Sequence, residues 1–258
     1  MTDIIFPTDL HRLSIEVIRD YFLQQQYIDT ILLVNSIARG KATPESDIDI
    51  AVLVTQTTDY AKIKILEDRW QDFLNAEPTL TKYKNSDPFA QIHLDIIDGT
   101  FNHTIWEVGA VSDYYEIEIG NRLVYSAPLT NEGTNFVNLK SQLLPYYDTT
   151  LQAQRLQMVK DAFTYDIEHI PILVKRGLYF HAFDILFKAF QEFMQILFIK
   201  NKTYPIAYNK WIKEQVVEIL KLPELYKQLP QIISVTNIES NELNGKAKQL
   251  SQLLNQYC

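Results

Sequence analysis

Residues 31–54 decide the fold of this chain, and they read ILLVNSIARGKATPESDIDIAVLV. The segment begins and ends with apolar runs at 31–34 and 50–54, each short and β-branched enough to predict a buried strand. The polar residues between the two runs form the loop that joins them. We therefore expect a strand-loop-strand unit whose loop carries the chemically active groups.

Two aspartates stand where this loop runs into the second strand. Asp47 and Asp49 are two residues apart, so in a strand their side chains share one face while Ile48 and Ile50 face the core. Adjacent carboxylates repel each other unless a cation lies between them. Hard oxygen ligands suit Mg²⁺, which takes phosphate oxygens as further ligands. Asp47 and Asp49 are therefore predicted to bind Mg²⁺.

The loop before the aspartates has the composition of a phosphate-binding turn. Ser36 and Ser46 supply hydroxyls, Arg39 and Lys41 supply positive charge, and Gly40 allows close approach of the backbone. A triphosphate bridged to a carboxylate-held metal fits such a loop. We predict that Ser36, Arg39 and Ser46 bind its phosphates.

Residues 35–50 as a whole resemble the signature of the DNA polymerase β-like nucleotidyltransferase superfamily, which is Gly-Ser, a basic loop, and Ser-Asp-x-Asp followed by an apolar strand. A looser resemblance, to the antibiotic and small-molecule nucleotidyltransferases of that superfamily, extends over most of the chain. Asn35 stands where the family has glycine. Asparagine is the residue other than glycine that best tolerates a left-handed backbone, so we expect the turn to survive.

The resemblance implies a third carboxylate on a later strand, and residues 91–98, QIHLDIID, offer one. Alternation along a strand puts Asp95 on the same face as His93, whereas Asp98 has the opposite parity and stands beside a glycine turn. In the family, the equivalent acid binds the metal and helps to deprotonate the acceptor hydroxyl. Asp95 is thus the expected base and the third metal ligand with Asp47 and Asp49.

Composition limits the classes of partner. The chain has 258 residues, of which 47% are hydrophobic, which is enough for two domains with their own cores. A net charge of −8 disfavours nucleic acid as a partner, because neutralising its phosphates needs a basic face. Cys258 is the single cysteine, so no disulfide framework or zinc cluster is expected.

No membrane or secretory segment is expected. The N-terminal residues lack the pattern of a signal peptide, and the apolar stretch 178–199 carries charged and polar residues that favour a buried helix over a membrane span. A cytoplasmic protein is the expectation, and a homodimer is left open.

Periodicity predicts an α/β (α+β) domain with a mixed sheet, followed by an all-α bundle. We place a nucleotidyltransferase domain at 1–140 and a helical substrate-binding domain at 141–258. Helices are predicted at 9–26, 60–75, 151–170, 178–199, 211–222 and 241–257, with 126–150 as the connection. The resemblance implies that an acidic aromatic segment at 113–120, preceded by Trp106 and Glu107, ends the first domain. Its acids are most simply a solvated face, and acceptor binding is the minor alternative.

The helical half resembles the substrate-binding domain of small-molecule nucleotidyltransferases. Lys210, beside Trp211, is the candidate for a phosphate contact from this half, and a surface lysine is an equally open interpretation. Asp184, Lys188 and Glu192, spaced four apart on the apolar helix, are most simply a solvated or salt-bridged stripe.

The resemblance implies an Mg²⁺-dependent transfer of a nucleoside monophosphate, AMP from ATP being the first expectation, onto a hydroxyl of a small acceptor with release of pyrophosphate. Aminoglycoside-like or lincosamide-like compounds are the expected acceptors. Two alternatives stay open. One is an antitoxin-type enzyme that adds AMP to a partner protein, and the other is a nucleotide-binding regulator without turnover.

Overall fold

The computed structural model describes residues 4–104 and 113–258. The chain divides into two compact units. The first comprises Met1–Phe101 and Glu118–Leu144, and the second comprises Asn102–Ile117 and Pro145–Cys258. The expected fold class, an α+β domain with a mixed sheet and a helical C-terminal region, is confirmed. The second unit also contains residues 102–117 from the middle of the chain, so its residues do not all follow a single boundary near residue 140.

The first unit contains the sheet and the helices that cover it. In chain order its elements are α1 (Asp9–Leu23), β1 (Ile28–Leu33), α2 (Asn35–Ala38), β2 (Ile48–Val54), α3 (Tyr60–Ala76), α4 (Pro78–Lys84), β3 (Ile92–Ile97), α5 (Tyr115–Ile119, which crosses from the second unit), a π-helical turn (Gly120–Val124), β4 (Ala127–Pro128) and α6 (Thr134–Leu143).

In the described residues, four strands form one sheet in the order β3-β2-β1-β4. β1 is antiparallel to β2 and β4, whereas β2 and β3 are parallel, so the sheet is mixed. The 35–47 loop joins the antiparallel pair, and Leu33 lies opposite Ile50. The start of β2 is therefore held beside the start of the loop.

Helix α1 packs on this sheet through an apolar stripe. Thr8 caps its N-terminus by accepting a hydrogen bond from the backbone of His11, and Ile15, Ile18 and Phe22 are buried at helical spacing. The helix ends at Leu23 rather than near residue 26 as expected. Tyr27, with φ of 70°, turns the chain into β1.

The predicted connection at 126–150 is wrong in part, because it contains β4 and α6 of the first unit. The N-terminus of α6 is capped from β1: the Asp29 carboxylate accepts hydrogen bonds from the backbone N–H of Asn135 (2.8 Å) and Phe136 (3.0 Å). A cap supplied from so far along the chain leaves no local sequence signal.

The second unit is helical. Its elements after α5 are α7 (Thr149–Lys175), α8 (Tyr179–Lys200), a π-helical turn (Glu214–Ile219), α9 (Pro223–Ile233) and α10 (Glu242–Tyr257). α7 runs through Pro171 instead of ending before it, because the flanking Ile170, Leu173 and Val174 are buried in the core. Among the described residues, none of the helices is both long and apolar enough to span a bilayer.

The polar stripe of α8 is not a solvated face throughout. Asp184 is exposed, but Glu192 is 1% exposed. Lys188 lies 2.9 Å from the Asp166 carboxylate of α7 and 3.8 Å from that of Glu192. Packing of α7 on α8 thus makes this part of the stripe a buried, salt-bridged cluster, which is the second of the two expected arrangements.

Arg155 of α7 ties the 102–117 segment into the second unit. Its side chain is fully buried, and its guanidinium donates to both Glu116 carboxylate oxygens, at 2.6 and 2.7 Å. Asp113 accepts from the same guanidinium at 3.0 Å. The solvated face predicted for this acidic segment is therefore wrong at Glu116, which is fully buried. Trp106 and Glu107 lie outside the described residues.

Candidate active site

Asp47 and Asp49 lie where the chain enters β2. The Asp47 carboxylate accepts a hydrogen bond from the backbone N–H of Gln91 at 3.1 Å, and its other oxygen is 3.7 Å from His93 Nε2. Asp49 is paired in the sheet with His93. Both carboxylates therefore face the start of β3.

Asp95 occupies the same face of the sheet. The parallel register pairs Asp49 with His93 and Ala51 with Asp95, so Asp95 is two residues beyond the partner of Asp49 and has the same parity. Its side chain is 71% exposed. Asp98 accepts from the backbone N–H of Thr100 at 2.7 Å, which confirms it as a turn residue.

The pKa of the Asp49 carboxyl reflects this crowding. Burial raises the pKa above its ordinary value, and the negative charges of Asp47 and Asp95 raise it further. A hydrogen bond from the Asn35 side chain and the charge of His93 oppose the rise. Loss of solvation is thus the main reason that the pKa is raised, and the neighbouring carboxylates add to it.

Protein groups contact two of these carboxylates. Across residues 4–104 and 113–258, no three His, Cys, Asp or Glu side chains are arranged to hold a metal ion together. Asp49 interacts with Asn35, and Asp95 lies 3.4 Å from Arg122 Nη2. The ligand chemistry nevertheless fits Mg²⁺, because all three groups are carboxylates and they share one face.

Arg122 was not predicted from the sequence. It belongs to the π-helical turn, is 21% exposed, and lies 3.5 Å from Glu118 as well as 3.4 Å from Asp95. No motif marks this arginine, since the chain brings it to β3 only after the 102–117 segment. Its charge therefore lies beside the carboxylates of Asp95 and Glu118.

Asn35 takes the backbone conformation that the family glycine would take. Its φ is 57°, in the left-handed region, and the turn continues through Gly40 with φ of 66°. The backbone N–H of Lys41 donates to the Ser36 carbonyl at 2.9 Å and closes the loop. A Cβ at Gly40 would meet no atom within 4 Å. Glycine is therefore favoured here by the left-handed backbone and not by a lack of space. The turn survives as expected.

Ser46 closes the other end of the loop. Its Oγ accepts from the backbone N–H of Thr43 at 2.9 Å, and its own N–H donates to the Thr43 carbonyl at 3.0 Å. Its carbonyl oxygen accepts from Tyr83 Oη at 2.7 Å and lies 3.0 Å from His11 Nε2. His11 and Tyr83 were not singled out from the sequence, since each looks like an ordinary helix residue.

Lys210 belongs to the second unit, where it is exposed and its carbonyl accepts from the Gln215 side chain at 2.7 Å. Trp211 follows with φ of 57°. The phosphate contact expected of Lys210, and those of Ser36, Arg39 and Ser46, stay predictions.

Part of the chain matches a known protein family. Residues 16–107 match the family model described as polymerase beta, nucleotidyltransferase. The chain is also similar to the solved structure of a nucleotidyltransferase-like protein from Exiguobacterium sibiricum 255-15, with 13% identity, coverage of 96% of this chain and 75% of that one, and a TM-score of 0.45. Among curated proteins there is no match. The matched residues include the loop and all three aspartates, so this part of the chain is similar to the nucleotidyltransferases that the polymerase beta family model describes.

Proposed function

We propose that this domain transfers a nucleoside monophosphate, AMP from ATP, to a hydroxyl group of a small acceptor. The observation that carries the proposal is the set of three aspartates on one face of β2 and β3, beside a loop whose turn is built on Asn35 and Gly40. Such a set of carboxylates can bind a divalent cation, and the cation can in turn bind the negatively charged phosphates of the donor.

Asp47, Asp49 and Asp95 are the residues that would hold Mg²⁺. When bound, the metal would neutralise charge that develops on the triphosphate. The raised pKa of Asp49 supports this role, since a bound cation would offset the loss of solvation on burial and the smaller repulsion from Asp47 and Asp95. Mg²⁺ would compete with Arg122 for Asp95, because that ion pair is at 3.4 Å.

The side chains have separate tasks in the transfer. The acceptor oxygen attacks the α-phosphorus, the bond from that phosphorus to the bridging oxygen breaks, and pyrophosphate leaves. Asp95 is the proposed base, since its carboxylate is the most accessible of the three and can take the acceptor proton. Ser36, Arg39 and Ser46 would orient the phosphates, with Lys210 assisting.

The acceptor is the least defined part of the proposal. The net charge of −8 favours a cationic or neutral small molecule, such as an aminoglycoside-like or lincosamide-like compound. Mass spectrometry of an acceptor panel incubated with each nucleoside triphosphate and Mg²⁺ identifies donor and acceptor together, through the nucleotidyl mass increment.

D47N and D49N test the mechanism. Each keeps the side-chain shape but removes a charge, so we expect pyrophosphate release to fall by at least about 100-fold, the order that loss of one charge-stabilising group costs. D68N is the matched control, because Asp68 is exposed on α3. Full activity in both D47N and D49N would contradict the proposal.

The same assays distinguish the alternatives. Labelled AMP on a protein band in a lysate, without a modified small molecule, would indicate a protein acceptor. Mg²⁺-dependent ATP binding by calorimetry, with no product from any acceptor, would indicate a regulator.

A further inference from the structure

We propose that His11 and Tyr83 are positioning residues that hold the Ser46–Asp47 peptide, and through it the Asp47 and Asp49 carboxylates, in the geometry that binds the metal-nucleotide complex. The inference rests on the proposed function. It concerns two side chains outside the signature, on α1 and α4, that converge on one carbonyl oxygen beside the first aspartate.

The Ser46 carbonyl receives two buried donors. Tyr83 Oη donates to it at 2.7 Å, and His11 Nε2 lies 3.0 Å away. Both side chains are nearly inaccessible, at 1% and 2% exposure. Two donors use both lone pairs of a carbonyl oxygen and so fix the plane of its peptide group.

The tautomer of His11 follows from its neighbours. Thr8 Oγ1 lies 2.8 Å from His11 Nδ1 and can donate its proton there. Nδ1 is then the acceptor, which leaves the proton on Nε2, facing the Ser46 carbonyl. The rings of His11 and Tyr83 also pack edge to face, with centroids 5.0 Å apart. The pair therefore acts as one rigid support.

The supported peptide is the one that leads into the carboxylate pair. Asp47 directly follows Ser46, and Ile48 N–H donates to the Gln91 carbonyl at 2.9 Å, so the 46–48 backbone is held on both sides. Burial, together with the charges of Asp47 and Asp49, raises the pKa of Tyr83 well above its ordinary value. The phenol thus stays protonated and remains a donor.

Substitutions at His11 separate support from packing. A glutamine amide nitrogen stands as many bonds from Cβ as Nε2 does, so H11Q keeps the donor to Ser46. An asparagine amide stands one bond nearer, at the position of Nδ1, so H11N loses it. Y83F removes only the hydroxyl. Y21F is its control, because Tyr21 lies on the same helix as His11 and its ring stacks on that of Phe73.

The probe is Mg²⁺ with an ATP analogue that has a methylene bridge between its α and β phosphorus atoms, titrated by calorimetry. We expect the Mg²⁺ concentration for half-maximal binding to rise roughly fivefold in H11N and in Y83F, as for one lost hydrogen bond, and to stay within about twofold of wild type in H11Q and Y21F. Hydrogen exchange at the amides of residues 47–49, measured without any ligand, should accelerate in the first two variants only.

Each outcome decides the matter. Unchanged hydrogen exchange at residues 47–49 in H11N and Y83F would show that His11 and Tyr83 do not hold this backbone, whatever the protein binds. Faster exchange with unchanged Mg²⁺ dependence makes the contacts merely structural and overturns the positioning role. A wild-type protein that shows no Mg²⁺-dependent binding overturns the proposed function and this role with it.

Discussion

At the residue scale, Asn35 performs two tasks, of which a glycine could perform only the first. Its backbone adopts φ of 57°, which is open to asparagine at small cost, and its side chain donates a hydrogen bond to the Asp49 carboxylate. Asparagine therefore preserves the turn and adds a neutral hydrogen-bond donor to the Asp49 carboxylate.

N35G and N35A separate these tasks. Both remove the hydrogen bond to Asp49, but only alanine carries a Cβ at positive φ. We expect N35A to have a free energy of unfolding about 1 kcal/mol lower than N35G, measured by urea denaturation. Equal stability of the two variants would show that the turn does not depend on the left-handed backbone.

At the element scale, the packing of α7 on α8 buries charge. Burial, together with the nearby Asp166 carboxylate, raises the pKa of Glu192 to about 8, against the opposing charge of Lys188. Between the ordinary carboxyl pKa and this value, folded Glu192 keeps a proton that the unfolded chain releases. The free energy of unfolding therefore falls as pH rises through this window, and it is unaffected by this group below it.

E192Q tests whether the free energy of unfolding falls as pH rises because of Glu192. Glutamine is neutral at every pH, so the variant should gain on the order of 2 kcal/mol over wild type at pH 8 and almost nothing at pH 4. The melting temperature by calorimetry should rise at pH 8 by at least about 4 °C. E168Q, an exposed exchange on α7, is the control. A gain of equal size at both values of pH would contradict the assignment.

At the scale of the whole molecule, the chain leaves its first unit after Phe101, contributes to the second, and returns at Glu118. The charged partners of Arg155 come from this excursion. They are Glu116 and Asp113, and without them a fully buried guanidinium would have no charged partner among the described residues. An unpaired buried charge costs several kcal/mol, a large share of the stability of a domain.

Fragments test this dependence. We expect residues 145–258 alone to lack a cooperative thermal transition, followed by circular dichroism. The same fragment joined through a flexible linker to residues 102–117 should unfold cooperatively. R155M in the isolated fragment is the informative control, because it removes the buried charge and should restore part of the transition. A stable, cooperative wild-type fragment would show that the excursion is dispensable.

The sequence by itself determined the strand-loop-strand unit, the parity of Asp47, Asp49 and Asp95, and the left-handed turn at Asn35. These follow from the period of a strand and from backbone sterics, which act between near neighbours in the chain. Only the tertiary structure placed Arg122 beside Asp95, His11 and Tyr83 on the Ser46 carbonyl, and Asp29 at the start of α6. It also buried Glu192 and Glu116. Each of these contacts joins residues far apart in sequence, and their partners are set by how the elements pack.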